Sequence, residues 1–245
     1  MRRVGIVVQA RIGSTRLPGK VLKEVEGRPL ITRVFERLKW VRQASLIVCA
    51  IPETPENIPL RELCMKFEIE VLAGPEEDVL KRYVMAADRL GLTDVVRITA
   101  DCPLIDPCLV DEFVEKHLSG KWDLTANLTG VGGAFPRGMD VEVVTASTLR
   151  RINSGSLARR FREHVTLHIY ENPSEFKIHI IPPLREQARP DLRLCVDEVP
   201  DLEVVRAVYR NFLPRTQFGL DDIIGFLDNH PEIATLNRHV RAKNI

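Results

Sequence analysis

The chain has 245 residues, 44% hydrophobic and 28% charged, with 35 Lys plus Arg against 34 Asp plus Glu. That length supports one substantial core, and the balanced charge excludes a protein-wide field for nucleic acid or an anionic membrane, so any anion site has to be local. No apolar run approaches the roughly 20 residues of a membrane span, the run after Met1-Arg2-Arg3 is too short for a secretion signal, and the five cysteines form no C-x-x-C pair, which argues against disulfides and structural zinc and for a reducing cytoplasm.

Short β-branched runs alternate with helical patterns through the first half, the signature of βαβ units around a mainly parallel sheet. Strands are predicted at 4–9, 46–50, 70–72 and 94–98, with helices around 30–39, 59–67 and 79–90. Ile31, Val34, Phe35 and Leu38 keep the helical spacing. A Gly-rich stretch, Gly130-Val131-Gly132-Gly133 followed by Phe135-Pro136-Arg137-Gly138, cannot propagate a helix and is predicted to be a mobile loop. Strands at 140–144, 177–181 and 192–196 and helices at 157–170, 201–212 and 220–229 complete the pattern. No repeat or low-complexity segment interrupts it, so the expectation is a single α/β domain over 1–245 with a small subdomain at about 125–185.

The first strand runs into Gln9-Ala10-Arg11-Ile12-Gly13-Ser14-Thr15-Arg16-Leu17-Pro18-Gly19-Lys20. Glycines let backbone N–H groups approach phosphate oxygens, hydroxyls add donors, and Arg11, Arg16 and Lys20 add charge, so this is a phosphate cradle at a strand's carboxyl end. It is neither a P-loop, since five residues separate Gly13 from Gly19 and Val21 follows Lys20, nor a G-x-G-x-x-G turn. A basic, solvated turn is the bland alternative.

Asp101 and Asp197 each follow a predicted strand. Two converging carboxylates suit magnesium when a triphosphate completes its shell, but the residues alone allow a helix N-cap or turn for Asp101 before Pro103, and an Asx-turn for Asp197 before Pro200. Pro136-Arg137-Gly138-Met139-Asp140-Val141-Glu142 places Asp140 and Glu142 on one face of a strand, facing either sugar hydroxyls or solvent. His164 and His168 would share a helix face, without the glutamate of H-E-x-x-H or a third ligand nearby. Cys102 has no histidine coupled to it and reads as a packing residue rather than a nucleophile.

The run from Val8 to Leu22 resembles the opening of the cytidylyltransferases that activate 3-deoxy-manno-octulosonate and acylneuraminates. Gly27-Arg28-Pro29-Leu30-Ile31, Asp78-Val79-Leu80 with Arg82-Tyr83, Arg97-Ile98-Thr99-Ala100-Asp101-Cys102-Pro103-Leu104 and Arg162-Glu163-His164-Val165-Thr166 extend the resemblance toward the spore-coat polysaccharide (SpsF-like) subgroup over about residues 4–210. It implies a three-layer α/β/α nucleotide-diphospho-sugar transferase-like (GT-A-like) fold with a mixed, mainly parallel sheet. It further implies a homodimer that uses CTP and Mg2+ to convert an acidic keto-sugar into a CMP-sugar. Arg16, Lys20, Asp101 and Asp197 would be catalytic, with the metal on Asp101 and Asp197. Gln9, Ala10, Arg11, Gly13, Ser14, Arg16, Lys20, Thr99 and Asp101 would bind nucleotide, Arg137, Asp140 and Glu142 the acceptor, and Arg162, Glu163 and His164 the acceptor or a dimer contact. After Asp197, Glu198-Val199-Pro200-Asp201 departs from the family's Asp-Thr-Pro-Glu-Asp. The rivals are a nucleotide-sugar-dependent glycosyltransferase, whose D-x-D is missing because Thr99-Ala100 precede Asp101, a nucleotidyltransferase acting on another alcohol or sugar phosphate, and a non-catalytic nucleotide-binding protein.

Overall fold

The computed structural model describes residues 2–127 and 134–241. Gly130 to Gly133, the glycines of the expected mobile loop, lie outside the described residues. β1 (Val4–Gln9) leads through the cationic loop and a short helical turn at Lys20–Leu22 into a hairpin of β2 (Glu24–Val25) and β3 (Arg28–Pro29). The hairpin turn places Glu26 at φ 46° and Gly27 at φ 79°, the two positive values that a type I′ turn requires. α1 (Leu30–Leu38), β4 (Ile47–Pro52), α2 (Ile58–Lys66), β5 (Glu70–Gly74), α3 (Val79–Arg89) and β6 (Asp94–Thr99) follow the predicted order closely.

The second half is α4 (Pro107–Ser119), β7 (Leu124–Ala126), β8 (Glu142–Thr145), α5 (Ala146–Asn153), α6 (Arg159–Glu163), α7 (Leu167–Glu171), β9 (Ile178–Ile180), α8 (Val199–Phe212), α9 (Leu220–Asn229) and α10 (Pro231–Ala234). α4, β7, α5 and α10 were not anticipated, although α4 carries a readable start: the Asp106 carboxylate caps it by accepting from Cys108 N at 2.8 Å, and Pro107 occupies its first turn. Two predicted elements are corrected. The helix expected over 157–170 breaks between α6 and α7, where Val165 takes φ 24°, uncommon for a β-branched residue. The break buries Val165 and Thr166 and aims the Thr166 hydroxyl at Glu142, which a continuous helix would not do. The strand expected at 192–196 makes a single parallel bridge, Arg137 to Arg193. All five residues from Leu192 to Val196 are buried, and their backbone partners are loops rather than a sheet edge.

The main sheet runs β5-β4-β1-β6-β8-β7-β9. β8 is antiparallel to both neighbours and every other pairing is parallel. Side chains of β1 alternate between two cores: Ile6 and Val8 pack with α1, α4, α8 and α9 on one face, and Val7 packs with α3 and α5 on the other. Val96 and Ile98 of β6 join the first core and Val95 the second. A sheet apolar on both faces needs helices on both, and that makes the three-layer α/β/α arrangement that the family resemblance implies.

Gly138 ties the segment before β8 to residues 192–195. Its φ is 101°, and a Cβ there would sit 2.6 Å from both Leu194 C and Cys195 N, closer than backbone atoms tolerate. Gly138→Ala is therefore expected to cost at least about 2 kcal/mol in urea unfolding. Gly13→Ala, whose Cβ would meet nothing within 4 Å, should stay within about 0.5 kcal/mol of wild type. Equal stabilities for the two variants would contradict the close approach.

Candidate active site

From β1 the chain builds β4 and β5 on one side and then returns to place β6 on the other. The carboxyl ends of β1 and β6 thus flank the point where open α/β sheets bind ligands. A cleft of about 290 Å³ opens there, and Gln9, Lys20, Thr99, Asp101, His164 and Asp197 are among its walls. Ala10, Arg11, Gly13, Ser14, Arg16 and Glu163 line it as well.

The cationic loop is folded by its own backbone and one buried amide. Asn57 accepts from Ile12 N at 3.0 Å, and Gly19 N returns to Ile12 O at 3.3 Å, with Gly19 at φ 66°. The closed loop turns Lys20 back across the cleft floor. Its ammonium donates to Asp101 Oδ2 at 2.7 Å, Asp197 Oδ1 at 2.9 Å and Val196 O at 2.7 Å. Arg16 Nη2 adds an ion pair to Asp197 Oδ1 at 2.8 Å.

Neither aspartate serves as a cap. Asp106 caps α4, and the backbone N–H groups of Asp197 and Glu198 donate to Asp201 at 2.8 and 2.9 Å, so the turn-stabilising carboxylate is Asp201. The two site aspartates are brought together by backbone, Val196 N donating to Asp101 O at 2.8 Å. Burial disfavours charge on all three central groups, yet their mutual attraction wins. Lys20 is raised despite burial, Asp101 is held below the ordinary carboxylate range by Lys20, and Asp197, facing Lys20, Arg16 and Arg193, is pulled down to about 2.

The remaining expected residues separate. Gln9 Oε1 accepts from Tyr83 OH at 3.1 Å and Arg97 Nε at 3.2 Å. Glu142, expected to face the acceptor, is 8% exposed and bonded to Arg97 (2.6 Å), Thr166 (2.9 Å) and Tyr170 (2.8 Å). It is the centre of a buried network because β8 starts at Glu142 and its carboxylate falls beneath the α6–α7 break. Asp140 precedes the strand, accepts from Gly138 N at 2.9 Å, and lies near enough to Cys102 and Cys195 to help raise both thiols, which burial raises most. Arg137 contributes the backbone bridge to 192–194. Arg162 is a brace rather than a cleft residue, bonded to Asn153 Oδ1 at 2.7 Å, Gly155 O at 3.0 Å and Asp78 at 3.3 Å.

His164 and His168 do not share a face. His164 lines the cleft and is lowered by burial and by Arg97 against Glu163, whereas His168 packs edge-on to Phe161 and Phe176. Sequence reading assigned no role to Arg82, which is 2% exposed, lines the cleft and bonds the carbonyls of Pro75 (2.5 Å) and Glu76 (3.0 Å). Its buried Nε has no hydrogen-bond partner, an orphaned donor at a cleft wall. A charged residue on the apolar-spaced face of α3 was the signal available for it.

A family model described as cytidylyltransferase matches residues 5–217. The spore coat polysaccharide biosynthesis protein SpsF of Bacillus subtilis is 30% identical over 96% of this chain and 98% of its own length. A cytidylyltransferase structure from Leptospira borgpetersenii superposes with a TM-score of 0.91 at 30% identity, each chain covered fully. The structure of a CMP:2-keto-3-deoxy-manno-octonic acid synthetase complexed with CTP shares the fold, with a TM-score of 0.66 at 17% identity over 86% of this chain and all of its own.

The ion cluster sets an acid dependence. Asp197 lies below its ordinary value of 3.8, near 2, so its contribution to stability is complete above about pH 4 and is lost as the pH falls through about 2. The difference in urea-unfolding free energy between wild type and Asp197→Asn should accordingly be largest near neutrality and shrink across that window. A difference that stays constant with pH would remove Asp197 from the cluster.

Proposed function

The chain belongs to the cytidylyltransferase family, and from that premise we propose that it transfers the cytidylyl group of CTP to a hydroxyl of an acidic keto-sugar, releasing pyrophosphate and forming a CMP-sugar for a surface polysaccharide or glycan. The observation that carries this reading is the Lys20 ammonium bridging Asp101 and Asp197 on the floor of a cleft rimmed by Arg11 and Arg16. A triphosphate needs several cations and donors in one place. An ion-free metal position flanked by anions would repel it.

The donor set fits magnesium. Two carboxylate oxygens already converge on one cationic nitrogen at 2.7 and 2.9 Å, and magnesium takes one or two carboxylates together with phosphate oxygens and water. Among the described residues no group of three or more His, Cys, Asp or Glu side chains is arranged around a metal position, so ligand oxygens would supply the rest of the shell. Asp101 and Asp197 would hold the ion, which when bound neutralises phosphate charge and polarises the reacting oxygens.

The chain's own groups do the remaining work. With a cation held by the two carboxylates, Lys20 would turn one or more of its donors to the phosphates, where it would stabilise the charge that develops as the α-phosphorus–oxygen bond to pyrophosphate breaks and the bond to the sugar hydroxyl forms. Arg16 and Arg11 steady the departing pyrophosphate. Gly13, with open space where a Cβ would stand, lets the backbone approach, and Thr99 and Gln9 border the nucleoside. Glu163 and His164 stand at the wall nearest the acceptor, and burial together with Arg97 favours neutral His164, a form able to accept a hydrogen bond from a sugar hydroxyl. Glu142 contributes by fixing Arg97 and hence Gln9. A homodimer, as the resemblance implies, in the reducing cytoplasm that the cysteine pattern suggests belongs to the same reading, and no helix among the described residues is long and apolar enough to cross a membrane.

Pyrophosphate release with each nucleoside triphosphate against a panel of acidic sugars, with product masses, tests the reaction. CTP with magnesium should raise the melting temperature more than ATP, GTP or UTP do, and stronger stabilisation by ATP would sink the cytidine assignment. Lys20→Ala is expected to lose about 1.5–3 kcal/mol of triphosphate binding and transition-state stabilisation, and unchanged kinetics would make Lys20 a structural counter-ion only. Asp101→Asn and Asp197→Asn should each abolish most turnover, with the double variant little worse than either, because residues that act as a unit are non-additive. Independent, additive losses would mean that the two do not share an ion.

A further inference from the structure

Residues 235–241 follow α10 and lie beyond the stretch matched by the family model, which ends at residue 217. They reach the site at two places. Asn237 is 3% exposed, and its Nδ2 donates to Asp201 Oδ1 and to Arg193 O, both at 2.9 Å. The Arg241 carbonyl accepts from Arg16 Nη1 at 3.0 Å. Between them, Val240 is 8% exposed and its N–H returns to Asn237 O at 3.0 Å, which seats the segment.

Both contacts converge on Asp197. Asp201, 1% exposed, accepts from Asp197 N (2.8 Å) and Glu198 N (2.9 Å) on one oxygen and from Arg193 Nε (2.9 Å) and Asn237 on the other. Arg193 in turn pairs through Nη2 with Asp197 Oδ2. Asp197 is therefore gripped at its backbone by Asp201 and at its side chain by Arg193, and Asn237 joins these two holders. The oxygen left for the cleft, Oδ1, is the one that meets Lys20 and Arg16. A neutral amide suits the position, because it fills the fourth place on a buried carboxylate without adding charge to the balance among Arg193, Asp197 and Asp201.

We propose that Asn237 is a positioning residue for the metal-holding function of Asp197, and that residues 235–241 complete the active site; this rests on the reading that Asp101 and Asp197 hold magnesium. Partners one step removed from a metal ligand, here Arg193 and Asp201, are worth about 10- to 100-fold in metal affinity or activity, and Asn237, one step behind them, is expected to act at the low end of that range. A residue that merely stabilised the fold would lower the melting temperature and leave metal dependence alone.

The test is calorimetric titration of CTP, first with EDTA and then across a magnesium series, for wild type, Asn237→Ala and Asn237→Ser, with turnover against magnesium measured in parallel. Asn237→Ala should bind metal-free CTP within about twofold of wild type while the affinity gained on adding magnesium falls about 10-fold, the low end for an outer partner of a metal ligand, and Asn237→Ser, which keeps one donor, should fall between. Asn237→Ala with the wild-type magnesium gain overturns the role of Asn237. A wild type that gains nothing from magnesium overturns the metal reading and this role with it. Should Asn237→Ala lose its native circular dichroism, Asn237→Ser, which keeps one donor, carries the test: a reduced magnesium gain supports the role and a wild-type gain overturns it.

Discussion

Two carboxylates that face the same small volume repel each other, and the cleft exists because one ammonium sits between them. At the separations seen around Lys20, charges partly screened by water attract or repel by a few kcal/mol, which is comparable with the whole stability margin of a small domain. Without that cation, Arg16 and Arg193, both paired with Asp197, would be left to offset the repulsion. With it present, both aspartates stay ionised, and Lys20 stays charged, against the pull of burial. The loop after β1, the end of β6 and the extended run before α8 are all arranged around that requirement.

Polar networks on two sides then fix the directions of the groups that the cleft exposes. On one side, Asp201 and Arg193 hold Asp197 from behind. On the other, Glu142 anchors Arg97, and Arg97 with Tyr83 orients Gln9. Buried polar groups are costly unless fully partnered, and when partnered they specify geometry more sharply than apolar packing does. The break between α6 and α7 fits the same pattern: an unfavourable φ at Val165 is accepted so that Thr166 can bond Glu142 and His164 can line the cleft. Arg82 departs from this rule: its Nε, at the cleft wall, is buried without a hydrogen-bond partner.

The sequence by itself determined the frame. Strand and helix periodicity are local, so β1, β4, β5, β6, α1, α2 and α3 could be read to within a few residues, and with them the α/β class, whereas the three-layer arrangement came from the family resemblance. The loop carrying Arg11, Arg16 and Lys20, and Asp101 just beyond β6, were legible for the same reason, since both follow a strand end in an alternating pattern. Only the tertiary structure decided what each polar group does. Lys20 and Asp197 are 177 positions apart, and Asn237 and Arg193 are 44 apart, distances over which no local pattern carries information. That is why Glu142 read as a surface acceptor residue and proved to be buried, why Asp201 rather than Asp197 holds the turn before α8, and why the alternating run at 192–196 met loops instead of a strand. Periodicity reports which face of an element is apolar, whereas the partner of a charged side chain is set by which distant segments close upon it.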